Sequence, residues 1–222
     1  MMHRMIAGPI PRKNLAPVVM IAWVFPISLA SAQEFSAEVA VLAAPSTDTA
    51  SRTIHVNGNK VRAETNGPGG TVMVVDVATN TAVLLLPQEK IFVDMRRLGH
   101  MNQAFMPVDV DDPCRTWQAR GTADGDDTHW TCRRIGNETV GGRETIKYAA
   151  SSSKGDDGFV WIDPKLKFMV RSANAAGQGM ELRDVREAPQ PPSLFEIPTG
   201  YKQQEMPQIM QQMRQPPPGG KP

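Results

Sequence analysis

The residues able to do chemistry are few, and their spacing excludes more than it offers. Cys114 and Cys132 are the only thiols in the 222-residue chain. They stand too far apart for a C-x-x-C redox pair. Of the four histidines, His3 lies in the N-terminal leader, and His55, His100 and His129 each lack a second His or Cys at metal-ligand spacing. No G-x-S-x-G elbow occurs, and Ser151-Ser152-Ser153 has no histidine partner near it in sequence, which argues against a serine hydrolase. Asp109, Asp111 and Asp112, and Asp124, Asp126 and Asp127, lack the spacing and closing Glu of a calcium loop. Gly67-x-Gly69-Gly70 has no following Lys-Ser/Thr and reads as a turn, not a phosphate loop. Asn137-Glu138-Thr139 fits a glycosylation acceptor that only a eukaryotic secretory route would use. Met206, Met210 and Met213 fall at i, i+4 and i+7. Thioethers on one helical face are soft ligands for Cu(I), but flexible apolar filler docking the tail is the simpler reading. No nucleophile–base pair can be nominated, so the expectation is a non-enzyme without metal or cofactor.

The N-terminus decides the compartment. His3, Arg4, Arg12 and Lys13 make a basic start, Leu15 to Leu29 is almost wholly apolar, and Ala30-Ser31-Ala32 presents small residues for cleavage before Gln33. The apolar run is shorter than the roughly 20 residues a bilayer span needs, and Pro17 and Pro26 interrupt it. Residues 1–32 therefore read as a cleaved signal peptide, with no transmembrane anchor left behind and the mature chain in the periplasm. In an oxidising space two cysteines pair, so a Cys114–Cys132 disulfide is expected. The full chain carries net charge +1; without residues 1–32 it has 21 basic against 23 acidic residues. Such a balance offers no concentrated basic face for nucleic acid.

The elements that would carry any site read as strands. Phe35 to Leu42 is a first strand. Asn57-Gly58-Asn59 supplies the positive φ angles of a tight hairpin between Thr53–Val56 and Lys60–Ala63. Thr71–Val77, Thr81–Leu86 and Lys90–Met95 follow through links too short for helical crossovers, which predicts antiparallel pairing. Val72–Val77 and Ala82–Leu86 are apolar at nearly every position, as in strands covered on both faces, the second cover being a helix, a lid or a ligand. Arg96–Phe105 carries Leu98, Met101 and Phe105 at helical spacing, and Pro107 ends it. The segment between the cysteines, rich in Gly and Asp, reads as a stapled loop. Thr145–Ala149, a Gly158–Ala173 hairpin turning at Asp163-Pro164, and Gly179–Arg186 complete about ten strands. Leu194–Pro198 looks like a docked segment, and Gln215–Pro222 is low-complexity and reads as disordered.

Gly136-x-Glu138-Thr139-Val140-x-Gly142-Arg143, Lys147-Tyr148, Val160-Trp161-Ile162-Asp163 and Pro192-Ser193-Leu194-Phe195-Glu196-Ile197-Pro198-x-Gly200-Tyr201 together resemble a family of exported bacterial domains of unknown function. That family is similar to the LolA/LolB-type lipoprotein carriers and their RseB-like relatives. The resemblance implies a mainly β fold: a curved antiparallel sheet forming an incomplete barrel over residues 33–201, covered by one or two helices, with 202–222 as a Met/Gln/Pro-rich tail. It further implies a concave apolar face able to hold a lipid or lipoprotein acyl chain, for which Val72, Val74, Val83, Leu85, Phe92, Trp161 and Phe168 are the expected lining. The rival expectation is a module that binds an envelope protein and no small ligand.

Overall fold

The structure, a computed structural model, describes residues 33–43, 51–67, 69–95, 106–123, 125 and 127–205. The signal segment with its Ala32–Gln33 cut, the helix expected over Arg96–Phe105 and the Met206–Met213 stripe lie outside the described residues or at their border.

Among the described residues, twelve strands form one sheet. In chain order they are β1 (Glu34–Leu42), β2 (Arg52–Asn57), β3 (Lys60–Thr65), β4 (Thr71–Asp76), β5 (Thr81–Leu86), β6 (Ile91–Asp94), β7 (Trp130–Val140), β8 (Arg143–Ser152), β9 (Asp157–Asp163), β10 (Phe168–Asn174), β11 (Gly179–Glu187) and β12 (Lys202–Gln203). Their spatial order is β12-β6-β5-β4-β3-β2-β1-β11-β10-β9-β8-β7. Two antiparallel meanders thus join where β1 pairs with β11, while β12 runs parallel to β6. The sheet is curved and open, with β7 and β12 as its edges, so it is not closed into a barrel. Short hairpins explain the antiparallel order: Gly58 adopts φ +56°, and Gly141 and Gly142 adopt +56° and +78° at the β7–β8 turn.

Alternation along the strands builds the main core. Phe35 and Ala37 of β1, Ile54 and Val56 of β2, Val75 of β4 and Ala82 of β5 share it with Val93, Trp161, Phe168 and Val170. Phe35 meets Phe168 edge-on at 5.3 Å, and both are fully buried, each contributing about 3 kcal/mol. A second cluster covers the other face of β8–β10: Ile146, Tyr148, Ala150, Val160, Ile162 and Met169 pack with Met106, Val108, Cys114 and Trp117. Burial pushes the Tyr148 phenol up, and its hydroxyl donates to the Val110 carbonyl at 2.7 Å.

The inter-cysteine segment departs from expectation. It is not all loop: Pro113–Ala123 is a helix, α1. Asp112 caps it by accepting the Arg115 N–H at 3.0 Å, and Pro113 occupies the first helical position, where a missing N–H costs nothing. The Asp124–Asp127 run that pointed to a loop follows the helix, and Gly121 is a poor helix former near its C-terminal end. The Cys114–Cys132 disulfide, with Cα atoms 5.6 Å apart, ties α1 to β7 as expected. Replacing both cysteines by Ser should lower unfolding free energy by about 3 kcal/mol, the chain-entropy value for a loop of this length. Urea titration of the two proteins checks this.

Candidate binding surfaces

Cross-strand register sorts the seven residues expected to line one cavity. Val72, Leu85 and Phe92 occupy one rung of β4–β6, and Val74 and Val83 the next rung on the same face. Their neighbours Met73, Val75, Ala82 and Val93 point to the opposite face and belong to the main core or pack on it. Trp161 and Phe168 also join that core. The structure therefore brings five of the seven together on the outer face of the first meander and places the other two in the interior. The doubly apolar runs are explained by this arrangement, since each strand face has its own cover.

The outer cover is the C-terminal segment. At its start, the Gln190 N–H donates to Glu34 Oε2 at 2.6 Å, Asn57 Nδ2 donates to the Gln190 carbonyl at 3.0 Å, and His55 Nδ1 lies 2.9 Å from Gln190 Oε1. Arg62 Nη1 then donates to the Leu194 carbonyl at 2.8 Å within the short 3-10 helix Pro192–Phe195, and Arg62 also pairs with Glu64. At its far end, backbone N–H groups of Lys202 and Gln204 donate to Lys90 and Phe92. The sheet thus extends past residue 201, through Gln203. Between these anchors Phe195 is buried while Ile197 stays 43% exposed. Phe195, Ile197, Val74 and Val83 wall a cleft of about 180 Å³, rimmed by Lys60, Asp76 and Thr81. The Leu194–Pro198 motif signalled that this segment docks; nothing local signalled that Phe195 and Ile197 would face Val74 and Val83.

On the second meander, Lys147, Trp161, Arg171 and Glu181 form one rung across β8, β9, β10 and β11. Lys147 Nζ lies 4.9 Å and Arg171 Cζ 4.7 Å from the Trp161 ring centre, and the indole N–H donates to Glu138 Oε2 at 2.7 Å. The hydrogen bond from Lys147, with that from Trp161, holds the Glu138 carboxyl below the usual glutamate range. Beside the start of β8, Glu187 is held down in the same way, first by Lys165 at 2.6 Å and then by Arg143 at 2.8 Å. A carboxyl depressed in the folded state stabilises the fold at pH values above its unfolded pKa, and this contribution is lost as pH falls through the folded value. Both groups are partly exposed, so each is worth under about 1 kcal/mol. Glu138→Gln and Glu187→Gln should therefore lower Tm most at neutral pH, with the difference from wild type shrinking as pH falls below about 4.3, which flattens the acid limb of a Tm-against-pH curve.

Among the described residues no three His, Cys, Asp or Glu side chains are placed to hold a metal ion. His55 is tied to Gln190, and His129 Nδ1 lies 2.8 Å from Gln118 Nε2. Ser152 Oγ faces Asp156, and His129 reaches the serine run through its backbone N–H, which Ser153 Oγ accepts at 3.0 Å. Asp109 pairs with Arg115 and accepts the Asp111 N–H. No described helix is long and apolar enough to cross a membrane.

No family model matches the sequence, and no curated protein matches it. Solved structures do match. PNGF-II, in its P21 crystal form, aligns at TM-score 0.50 and 10% identity over 81% of this chain and 33% of that one. The chain thus spans about a third of PNGF-II, and the likeness is one of fold. An uncharacterised conserved protein from Thermus thermophilus aligns at TM-score 0.48 and 12% identity, covering 78% of this chain and 91% of that one. MucB, in the Pseudomonas aeruginosa MucA/MucB complex, aligns at 0.43 and 13% identity over 76% of this chain and 58% of MucB. The matches also include an outer membrane lipoprotein-sorting protein domain from Vibrio parahaemolyticus, at TM-score 0.26. Proteins of the RseB-like and lipoprotein-sorting kinds are therefore among the structural neighbours.

Proposed function

We propose that this chain is an exported, non-enzymatic binding protein of the periplasm, released by cleavage between Ala32 and Gln33, that takes an apolar chain such as a lipid or lipoprotein acyl tail against the outer face of β4–β6. The observation that carries this reading is the cleft between Val74, Val83, Phe195 and Ile197. An apolar wall on the sheet, an apolar strap over it and an exposed isoleucine at the mouth suit a hydrocarbon. A volume of about 180 Å³ holds roughly six water-sized groups, which is the end of a chain, not all of it. Each methylene buried there contributes about 0.8 kcal/mol.

The test is native mass spectrometry of protein purified from its host. A co-purifying lipid is expected, and Ile197→Ser should reduce its occupancy several-fold while leaving the unfolding midpoint within a degree or two. Ligand-free wild type, or lipid retained equally by Ile197→Ser, would sink the reading. A second reading, an envelope protein-interaction module, is favoured by β7. This eleven-residue strand stands at the edge of the described sheet with β8 on one side, so its other side offers backbone groups to a partner's extended segment.

A further inference from the structure

The strap cleft continues past Phe195. Beyond that ring lies a second cavity, of about 430 Å³, walled by Asn57, Asn59, Lys60, Asp76, Pro192 and Phe195. Lys60, Asp76 and Phe195 line both spaces, so the two chambers meet at these residues. Strand register puts both chambers on one sheet face. Asn57, Lys60, Asp76 and Thr81 are successive cross-strand partners and form one rung over β2–β5. Arg62, Val74 and Val83 form the next rung on that face, two residues and so about 7 Å further along each strand. A polar chamber thus adjoins the apolar one. Arg62 is paired with Glu64, whereas Lys60 and Asp76 stand opposite each other and make no ion pair among the described residues. Asp76 Oδ1 accepts the N–H groups of Ala78 at 3.0 Å and Thr79 at 3.3 Å, which fixes the carboxylate and leaves Oδ2 for another donor.

We propose that the two chambers together hold a single-chain lipid with a zwitterionic phosphoethanolamine head. Its phosphate lies beside Lys60, its ammonium beside Asp76 Oδ2, and the part of its chain next to the head between Val74, Val83 and Ile197. This rests on the reading of the strap cleft as an acyl-chain site and names the head that goes with the chain. The polar chamber holds about fourteen water-sized groups, the size of a glycerophosphoethanolamine head, while the apolar cleft has room for one chain. The two-carbon link between phosphate and ammonium matches the roughly 5 Å between directly opposed side chains. A fatty acid or an anionic phospholipid fits less well, because either leaves Asp76 facing a like charge.

Calorimetric titration measures the affinities, and 1H–15N shifts of the Gly58, Asn59, Ala78, Val83 and Ile197 amides report the place. The probes are lauroyl-lysophosphatidylethanolamine, lauroyl-lysophosphatidylglycerol, lauroylglycerol and chain-free glycerophosphoethanolamine, the lipids kept below their micelle concentrations. The lysophosphatidylethanolamine is expected to bind about threefold more tightly than lysophosphatidylglycerol, which lacks the ammonium, threefold being the scale of one exposed charge pair. It should bind about tenfold more tightly than lauroylglycerol, which lacks both charges. The chain-free head should bind at least tenfold more weakly, because it forfeits the buried methylenes. Asp76→Asn keeps the oxygen that accepts from Ala78 and Thr79, and should erase the preference over lysophosphatidylglycerol. Lys60→Gln should weaken both phospholipids about threefold and leave lauroylglycerol unchanged, and Lys60→Arg, which keeps the charge, should bind as wild type does. Equal binding of the three lauroyl lipids at these amides would overturn the head assignment and leave the acyl cleft standing. A preference that survives Asp76→Asn, or a free head as tight as its lysolipid, would overturn it as well. No binding of any lauroyl lipid, or shifts confined to other parts of the chain, would overturn both readings.

Discussion

Asp163→Ala is expected to remove roughly 3–5 kcal/mol of stability, although it deletes only a carboxylate at a turn. The Asp163 side chain is 3% exposed. Its Oδ1 accepts the backbone N–H groups of Lys165 at 2.8 Å and Leu166 at 3.0 Å, and its Oδ2 accepts from Arg143 Nε. Alanine would leave two turn N–H groups without acceptors and a half-buried guanidinium with Glu187 as its remaining partner. An unsatisfied buried donor costs about 1–3 kcal/mol, and an unpaired buried charge more. The turn also seats Leu166 and Phe168 in the main core, so its loss reaches the packing. Urea unfolding of Asp163→Ala, Arg143→Ala and the double variant gives the coupling directly. Strong non-additivity is expected, and additive losses would show that the carboxylate serves the turn alone.

Gly179→Ala is expected to be comparably damaging for a purely steric reason. A methyl group at residue 179 would sit 1.9 Å from the Ser172 carbonyl oxygen and 2.7 Å from its carbon, both backbone atoms of the paired strand β10. Neither can move without opening the β10–β11 ladder, and β11 is the strand through which the two meanders join. A loss of about 3–5 kcal/mol, or failure to accumulate as folded protein, is the expected outcome. Gly177, in the turn between the same strands, is the control. Its φ of +78° disfavours alanine, but no atom lies within 4 Å of the added methyl group. Gly177→Ala should therefore cost only about 1–2 kcal/mol, the penalty of a left-handed non-glycine residue. Thermal melts of the two variants side by side test the distinction: equal losses would mean that the crowding at 179 relaxes easily.

Much of the architecture was legible locally. Asn57-Gly58 and Asp163-Pro164 form the turns their chemistry requires, and β4, β5 and β6 follow from apolar runs between short polar links. The disulfide followed from compartment chemistry and the presence of only two thiols. Less legible were α1, which lies in a segment whose Gly and Asp content reads as a loop, and β7, whose Arg133, Arg134, Asn137 and Glu138 lack an apolar face. Both are stabilised by tertiary contacts, α1 through Cys114 and Trp117 against β8–β10 and β7 through ladder bonds to β8.

The candidate sites divide along the same line. Sequence alone established that β4 and β5 are apolar on both faces, that Leu194–Pro198 docks, and that no catalytic or metal constellation stands out. It could not choose a face, because in an all-apolar run both parities look alike and the side-chain period of two is silent. Only the tertiary structure decided that Val75, Ala82 and Val93 face the core while Val72, Val74, Val83, Leu85 and Phe92 lie on the other side, where Val74 and Val83 meet Phe195 and Ile197 of the C-terminal strap. That choice depends on residues more than a hundred positions away, where Arg62 holds Leu194 and Asn57 holds Gln190. Such proximity is a property of the sheet order, not of any single segment.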